Sequence, residues 1–181
     1  MPSDGRAIIS SSEAASIWAQ PAPSRSAPSS SGRSSRARLR PLSGGGWLVT
    51  SCVTSGAVVG LIVAAHTSLG CGPLHLAGTP EQQQRFLVPM AQGKVIGAYG
   101  LTEPGAGSDS GGTRTTARHE DGPDGGSWVI DGGKRFITNA GQAGTYIITA
   151  RTGARDDGPP EISAFIVPAD THGFSVGRLE D

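Results

Sequence analysis

The sequence predicts an α+β chain, a short helical remnant followed by an antiparallel β-barrel or sandwich. Three features carry that expectation. The 181 residues include 28 glycines and 13 prolines, a density of turns that suits strands better than helices. From Ile96 onward, short apolar runs recur between turn residues with no helical period among them. Residues 51–95 instead carry helical spacing and a well-formed helix start.

Taken in order, Met1 to Gly46 does not read as folded protein. Serine, alanine, arginine and proline dominate it, and Trp18 is its only aromatic residue. Such a segment buries too little apolar surface to offset its conformational entropy. Residues 1–50 are therefore expected to be disordered, or low-complexity sequence from a shifted reading frame. Residues 1–40 are also rich in Arg and Ser and poor in acid, as a mitochondrial transit peptide is.

Residues 51–95 form the expected helical segment. Trp47 to Pro80 has no charged residue apart from His66 and His75. Val53, Ala57, Leu61 and Ala64 lie at helical spacing, with Val59, Ile62 and Val63 on the other side, so the helix is apolar all round. Such a helix is buried or in membrane; its Ser, Thr and Gly residues and an expected break near Ser68 to Pro73 favour burial. Gly56 and Gly60 read as a close helix contact. Thr79 to Gln82 holds an N-cap, a proline at the first helical position and the glutamine of a capping box. Phe86, Leu87 and Met90 make the apolar face of that helix, Gly93 ends it, and Glu81, Gln83, Gln84 and Arg85 form an exposed face with no other task.

Residues 96–181 are the β domain, with strands expected at 96–101, 113–120, 127–131, 134–138, 145–151, 161–167 and 173–178. Asp121 to Gly126 reads as a hairpin loop, Asp131 to Gly133 as a tight turn, and Ala154 to Pro160 as a polar loop.

Charge and cysteine usage narrow the function. Fifteen basic residues balance fifteen acidic ones, which gives no reason to expect nucleic acid or an anionic membrane as partner. Cys52 and Cys71 are too few for a disulfide framework, so a reducing compartment is expected. With His66 and His75 they also lack the paired spacing of a zinc site, and no metal is expected.

The chain is organised around Ala98 to Asp109, Ala-Tyr-Gly-Leu-Thr-Glu-Pro-Gly-Ala-Gly-Ser-Asp. Pro104 fixes one backbone angle, while Gly105 and Gly107 leave no side chain between backbone and ligand. Thr102 and Ser108 add hydroxyls beside exposed N–H groups, a surface suited to carbonyl or phosphate oxygens. Ser110 stands where a third dinucleotide glycine belongs, and no Gly-Lys-Ser/Thr follows, so neither nucleotide motif is present. The segment after the turn reads as a strand, so any ligand is held by a strand-loop-strand corner. A plain glycine-rich hairpin loop is the alternative.

Tyr99 to Asp109 resembles the flavin-binding signature of the acyl-CoA dehydrogenases. Gly133-Lys-Arg-Phe-Ile-Thr-Asn139 resembles that family's second flavin contact, and Ile162 to Pro168 with Gly173-Phe174 resembles the strand that ends its middle domain. The resemblance covers roughly Ser55 to Asp181. It implies FAD as cofactor, with Tyr99, Leu101, Thr102, Gly107, Ser108, Phe136, Ile137 and Thr138 as its contacts. Thr102 would donate to the flavin pyrimidine edge, Phe136 lie beside the rings, and Thr138 reach the nitrogen that accepts the hydride. Ser108 would contact the diphosphate and the acyl-CoA. Each also has an ordinary structural use: Thr102 and Ser108 as caps of their own loop, Phe136 and Thr138 as strand residues.

The implied reaction is α,β-dehydrogenation of an acyl-CoA to the trans-2-enoyl-CoA, with an electron-transfer flavoprotein as acceptor and a homotetramer as the assembled form. The family's base is a glutamate on a C-terminal helical domain. No catalytic residue is therefore assigned here, and the chain is expected to be a fragment that lacks that bundle. Glu103 belongs to the turn and is not that base. A non-catalytic β-sandwich module and a flavoprotein oxidase of the same fold are the alternatives. The cytoplasm is the expected location, or the mitochondrial matrix if residues 1–40 are a transit peptide.

Overall fold

The computed structural model describes residues 6–10, 56–122, 125–153 and 160–177. Two helices pack on one side of a six-stranded sheet. The strands are β1 (Arg6–Ser10), β2 (Gly97–Gly100), β3 (Thr116–Glu120), β4 (Ser127–Asp131), β5 (Thr145–Gly153) and β6 (Glu161–Pro168). Helix α1 is Gly56–Ala77, and α2 spans 80–91.

Both helices contain a π-helical stretch, Ala65–Cys71 in α1 and Gln83–Leu87 in α2. In α1 the side chains of Thr67 and Ser68 turn back on the carbonyls of Val63 and Ala64, a habit that bends helices. The expected break at Ser68 to Pro73 is therefore absent: the helix widens there and continues through Pro73. The capping box at Thr79 is present, with Gln82 N donating to Thr79 Oγ1 at 3.3 Å and Thr79 N donating to Gln82 Oε1 at 2.9 Å. Gln83, expected to be idle, donates to the carbonyls of Leu74, His75 and Gly78. It closes the C-terminal end of α1 from the first turn of α2.

The sheet separates two apolar clusters by the period-two alternation of its strands. Ile147 of β5 and Ala164 and Ile166 of β6 face the helices and meet Leu74, Phe86 and Met90. Tyr146, Ile148 and Ala150 of β5, with Phe165 and Val167 of β6, face the other way and join Ala98, Ala117 and Ile130. The close helix-to-sheet contact is Gly70 on Gly97: a Cβ added to Gly70 would lie 2.9 Å from the Gly97 backbone. Gly56 and Gly60, read as the tight contact, have nothing within 4 Å of an added Cβ. His66 completes the joint. Gly97 N donates to its Nδ1 at 2.9 Å, and its Nε2 lies 3.2 Å from Met90 O.

The expected all-antiparallel barrel or sandwich is corrected to a mixed sheet. The pairs β1–β4, β3–β4 and β5–β6 are antiparallel. However, β2 runs parallel to β5 from Gly97↔Thr145 to Gly100↔Ile148, and β3 meets β5 in parallel at Thr116↔Arg151. Residues 101–144 form the long crossover that parallel pairing needs. Two expected strands, 134–138 and 173–178, are absent over their described residues.

Arg6–Ser10 pairs with β4, although the whole segment before residue 50 reads as unstructured. The remainder of that segment, Cys52, and the polar loop at 154–159 lie outside the described residues. The expected burial of α1 is also corrected. Ala65, Gly70 and Leu74 are buried, but Val58, Val59, Leu61, Ile62, Val63, Leu69 and Leu76 are exposed. An all-apolar helix needs cover on every side, and the described residues cover one. By length and composition alone, Gly56–Ala77 would suffice to cross a membrane.

Candidate functional site

The turn after β2 is built on a buried ion pair. Glu103 and Lys134 lie 2.6 Å apart, with side chains only 5% and 4% exposed. Glu103 accepts from Thr113 Oγ1 at 2.6 Å, Arg114 N at 2.6 Å and Thr115 N at 3.0 Å. Burial would raise its pKa, but the bonds from Lys134, Thr113, Thr115 and Arg114 hold it far below the usual carboxylate range. Lys134 spends its three protons on Glu103 Oε1 at 2.6 Å, Thr113 Oγ1 at 2.8 Å and Leu101 O at 3.2 Å. Burial pulls its pKa down, against the opposing pull of Glu103. The carboxylate is ionised, buried in this network and absent from the lining of the groove that Phe136, Ile137 and Thr138 border, so it is not placed to take a proton from a ligand there.

This pair joins the two flavin-like motifs. Arg135 N donates to Thr102 O at 2.7 Å, one residue beyond Lys134. Gly100 lets the second motif lie on β2, since an added Cβ would meet Ile148 Cδ1 at 2.6 Å and Ile137 Cδ1 at 3.2 Å. Segment 134–138 cannot be the expected strand, because Phe136 has φ 54°, and Asn139 just beyond it has φ 71°. Left-handed backbone at a bulky aromatic residue is strained and rare. It turns the Phe136 side chain outward, where it is 69% exposed. The inward strand position that was its ordinary alternative does not exist.

Phe136, Ile137 and Thr138 form one wall of an open groove of about 1060 Å³. Tyr146, Ile148 and Val167 of the sheet also line it, as does Phe174, whose ring packs on Tyr146 with centroids 4.7 Å apart. Gly141 N donates to Tyr146 Oη at 3.0 Å, which fixes the turn that follows Thr138. The buried hydroxyl of Thr115, another lining residue, has no hydrogen-bond partner among the described residues.

The structure thus gathers Phe136, Ile137 and Thr138 at the groove; Leu101 and Thr102 do not line it, but Thr102 O is bonded to Arg135 N and Leu101 O to the Lys134 ammonium. Gly107 and Ser108 are exposed on the turn and do not line the groove. Tyr99 points to the opposite face of β2, half-buried against the helix-side cluster, and burial pushes its hydroxyl pKa up. The hydroxyls of Thr102, Ser108 and Thr138 have no hydrogen-bond partner among the described residues, whereas those of Thr79, Thr113, Thr149 and Thr152 do. The loop-capping alternative for Thr102 and Ser108 is therefore not what the chain adopts. Sequence reading missed Lys134, Gly100 and Thr115. A lysine after a glycine pair reads as a solvated turn residue, and only the fold brings Lys134 to a carboxylate 31 positions away. Among the described residues no group of three or more His, Cys, Asp or Glu side chains could hold a metal.

Comparison with known proteins bears on the same residues. The family model for the acyl-CoA dehydrogenase middle domain matches residues 98–181, and that for the N-terminal domain matches 47–94. A short-chain specific acyl-CoA dehydrogenase of Clostridium acetobutylicum is 50% identical over 121 residues, covering 67% of this chain and 31% of its own. Among solved structures, butyryl-CoA dehydrogenase from Megasphaera elsdenii has a TM-score of 0.64 at 42% identity, covering 69% of this chain and 32% of its own. An acyl-CoA dehydrogenase complexed with FAD from Bacillus anthracis has a TM-score of 0.61 at 38% identity, covering 68% of this chain and 20% of its own. The chain spans about a third of the length of the curated relatives it matches.

Proposed function

This chain belongs to the acyl-CoA dehydrogenase family, and we propose that it binds FAD in the α,β-dehydrogenation of an acyl-CoA thioester to the trans-2-enoyl-CoA. The observation that carries this reading is the pairing of Phe136 and Thr138: an exposed ring in a strained backbone beside an unengaged hydroxyl, on a groove whose sheet side is Tyr146, Ile148 and Val167. Strain of that kind persists where the surroundings impose it, and it clusters at ligand sites.

The residues fit a flavin. Tyr146, Ile148 and Val167 give the floor, the ring of Phe136 offers a face, and the hydroxyls of Thr102 and Thr138 have no partners among the described residues, the backbone of Thr102 being held by Arg135. A bound FAD supplies the acceptor for the hydride leaving the β-carbon. In this reading Thr138 would donate to the flavin nitrogen that takes the hydride, and Thr102 would donate to the pyrimidine edge where negative charge grows. Donors fixed before the reaction lower its barrier more than donors that must reorganise. Ile137 would give an apolar wall, Leu101 would flank it beside Thr102, Gly107 would let the backbone approach, Tyr99 braces β2 from behind, and Ser108 would serve the diphosphate and the thioester. The coupled proton requires a carboxylate base. No carboxylate lines the groove among the described residues, and Glu103 is committed to its own network.

The short-chain and butyryl names of the relatives support a short acyl group as substrate. An electron-transfer flavoprotein as acceptor and a homotetramer as assembled form belong to the same reading. Titration of the purified chain with FAD, followed by quenching of flavin fluorescence, tests it. Saturable binding is expected, and Thr138→Val should weaken it by about 1 kcal/mol, the net worth of one hydrogen bond. No saturable binding by the unmodified chain would reject the proposal; unchanged affinity in the variant would remove Thr138 from the site.

A further inference from the structure

We propose that Glu103 and Lys134 are positioning residues that set the flavin-facing backbone from beneath, without touching the ligand; this rests on the FAD-binding reading above. The two residues that flank Thr102 both end on one ammonium group: Lys134 donates to Leu101 O at 3.2 Å and to the Glu103 carboxylate at 2.6 Å. The next residue along, Arg135, donates its N–H to Thr102 O at 2.7 Å. Lys134 and Arg135 therefore fix Thr102 and its neighbours on both sides through three contacts. Thr113 lies inside the pair, donating to Glu103 Oε1 at 2.6 Å and placed 2.8 Å from Lys134 Nζ.

The same lysine begins the segment that presents Phe136 and Thr138. With Lys134 anchored below and Asn139 donating to Gly97 O at 3.4 Å beyond it, residues 135–138 are held at both ends while Phe136 keeps φ 54°. A bare loop would relax that angle. The ion pair is costly to bury and would be replaceable by apolar residues if stability were its only task. What it adds is direction: the bond from Lys134 to Leu101 O ends beside Thr102, the bond from Thr115 N holds a groove-lining residue, and Lys134 itself opens the segment that carries Phe136 and Thr138. Thr102 and Thr138, on separate segments, are thereby held to one geometry.

The test uses the full chain with three substitutions, Lys134→Met, Glu103→Gln and Thr113→Val, and two readouts. Amide hydrogen exchange at Arg135 reports its bond to Thr102. The visible circular dichroism of FAD, compared at saturation, reports the geometry around the flavin. Lys134→Met and Glu103→Gln should each speed Arg135 exchange at least tenfold and alter the flavin signal, while FAD affinity falls at least tenfold. Thr113→Val, which keeps both charges, should shift the flavin signal in the same sense with a smaller loss of affinity. Folded Lys134→Met with unchanged exchange at Arg135 overturns the proposal, as does an unchanged flavin signal at saturation. If the two charge variants do not fold, Thr113→Val decides alone, and a signal and affinity equal to the parent's overturn the proposal. If none of the three folds, the cluster serves folding only and the proposal falls. Absence of FAD binding by the unmodified chain counts against the functional reading instead, and the pair is then judged on Arg135 exchange.

Discussion

At Glu103, four hydrogen bonds converge on one buried carboxylate, and this ties the site to pH. Its native pKa is depressed, so its contribution to stability is fully present above the ordinary glutamate value of 4.5 and is lost as pH falls from there toward the native value. Glu103→Gln removes that dependence and leaves Lys134 buried without its counter-charge, at a cost of about 3–5 kcal/mol at neutral pH. Urea unfolding of both proteins at pH 7 and pH 4 should therefore show a smaller gap in acid; a gap that does not change with pH would contradict the assignment. The motif around Glu103 was legible as a ligand-binding turn because its glycines, proline and hydroxyls are unusual together. The partner of Glu103 was not. Nothing in a sequence sets Lys134 apart from a solvated surface lysine until the chain is folded.

At the scale of elements, α1 meets the sheet through backbone, with Gly70 against Gly97. No side chain can yield there, so Gly70→Ala must displace the helix, and a loss of about 1–3 kcal/mol is expected from denaturant unfolding. A change below about 0.5 kcal/mol would show that the helix sits loosely. Here too the sequence told part of the story. The strand over 127–131 coincides with β4, and the capping box of α2 formed as Thr79 and Gln82 foretell. Alternation of apolar residues marks a strand but carries no direction, so the parallel pairing of β2 with β5 was invisible. The five residues of β1 were hidden within a serine- and arginine-rich stretch too polar to suggest a strand. Segment 134–138 misled for the opposite reason: its pattern is strand-like, and the left-handed angle at Phe136 is imposed by the packing of Lys134 and Ile137 on β2.

For the whole molecule, the exposed side of α1 dominates behaviour in solution. Leu61 and Leu76 are 61% and 79% exposed, two of the seven large apolar side chains that α1 leaves uncovered among the described residues, and exposed apolar surface favours association. The chain as it stands should self-associate, and Leu61→Lys with Leu76→Gln should lower light scattering and dye binding with little change in the unfolding midpoint. Scattering that is indifferent to both substitutions would place the association elsewhere. The pairing of β2 with β5 has a consequence in time as well as in space. Gly97 and its partner Thr145 lie 48 positions apart, and the helix-side cluster is completed only by Ile147, Ala164 and Ile166. During synthesis on the ribosome both helices emerge well before the strands that cover them. For that interval their inner faces, Leu74, Phe86 and Met90, are as exposed as their outer ones. Contacts of such long range form slowly, so the nascent chain passes through a window in which chaperone capture and aggregation compete with folding. That window closes only when β6 has cleared the exit tunnel.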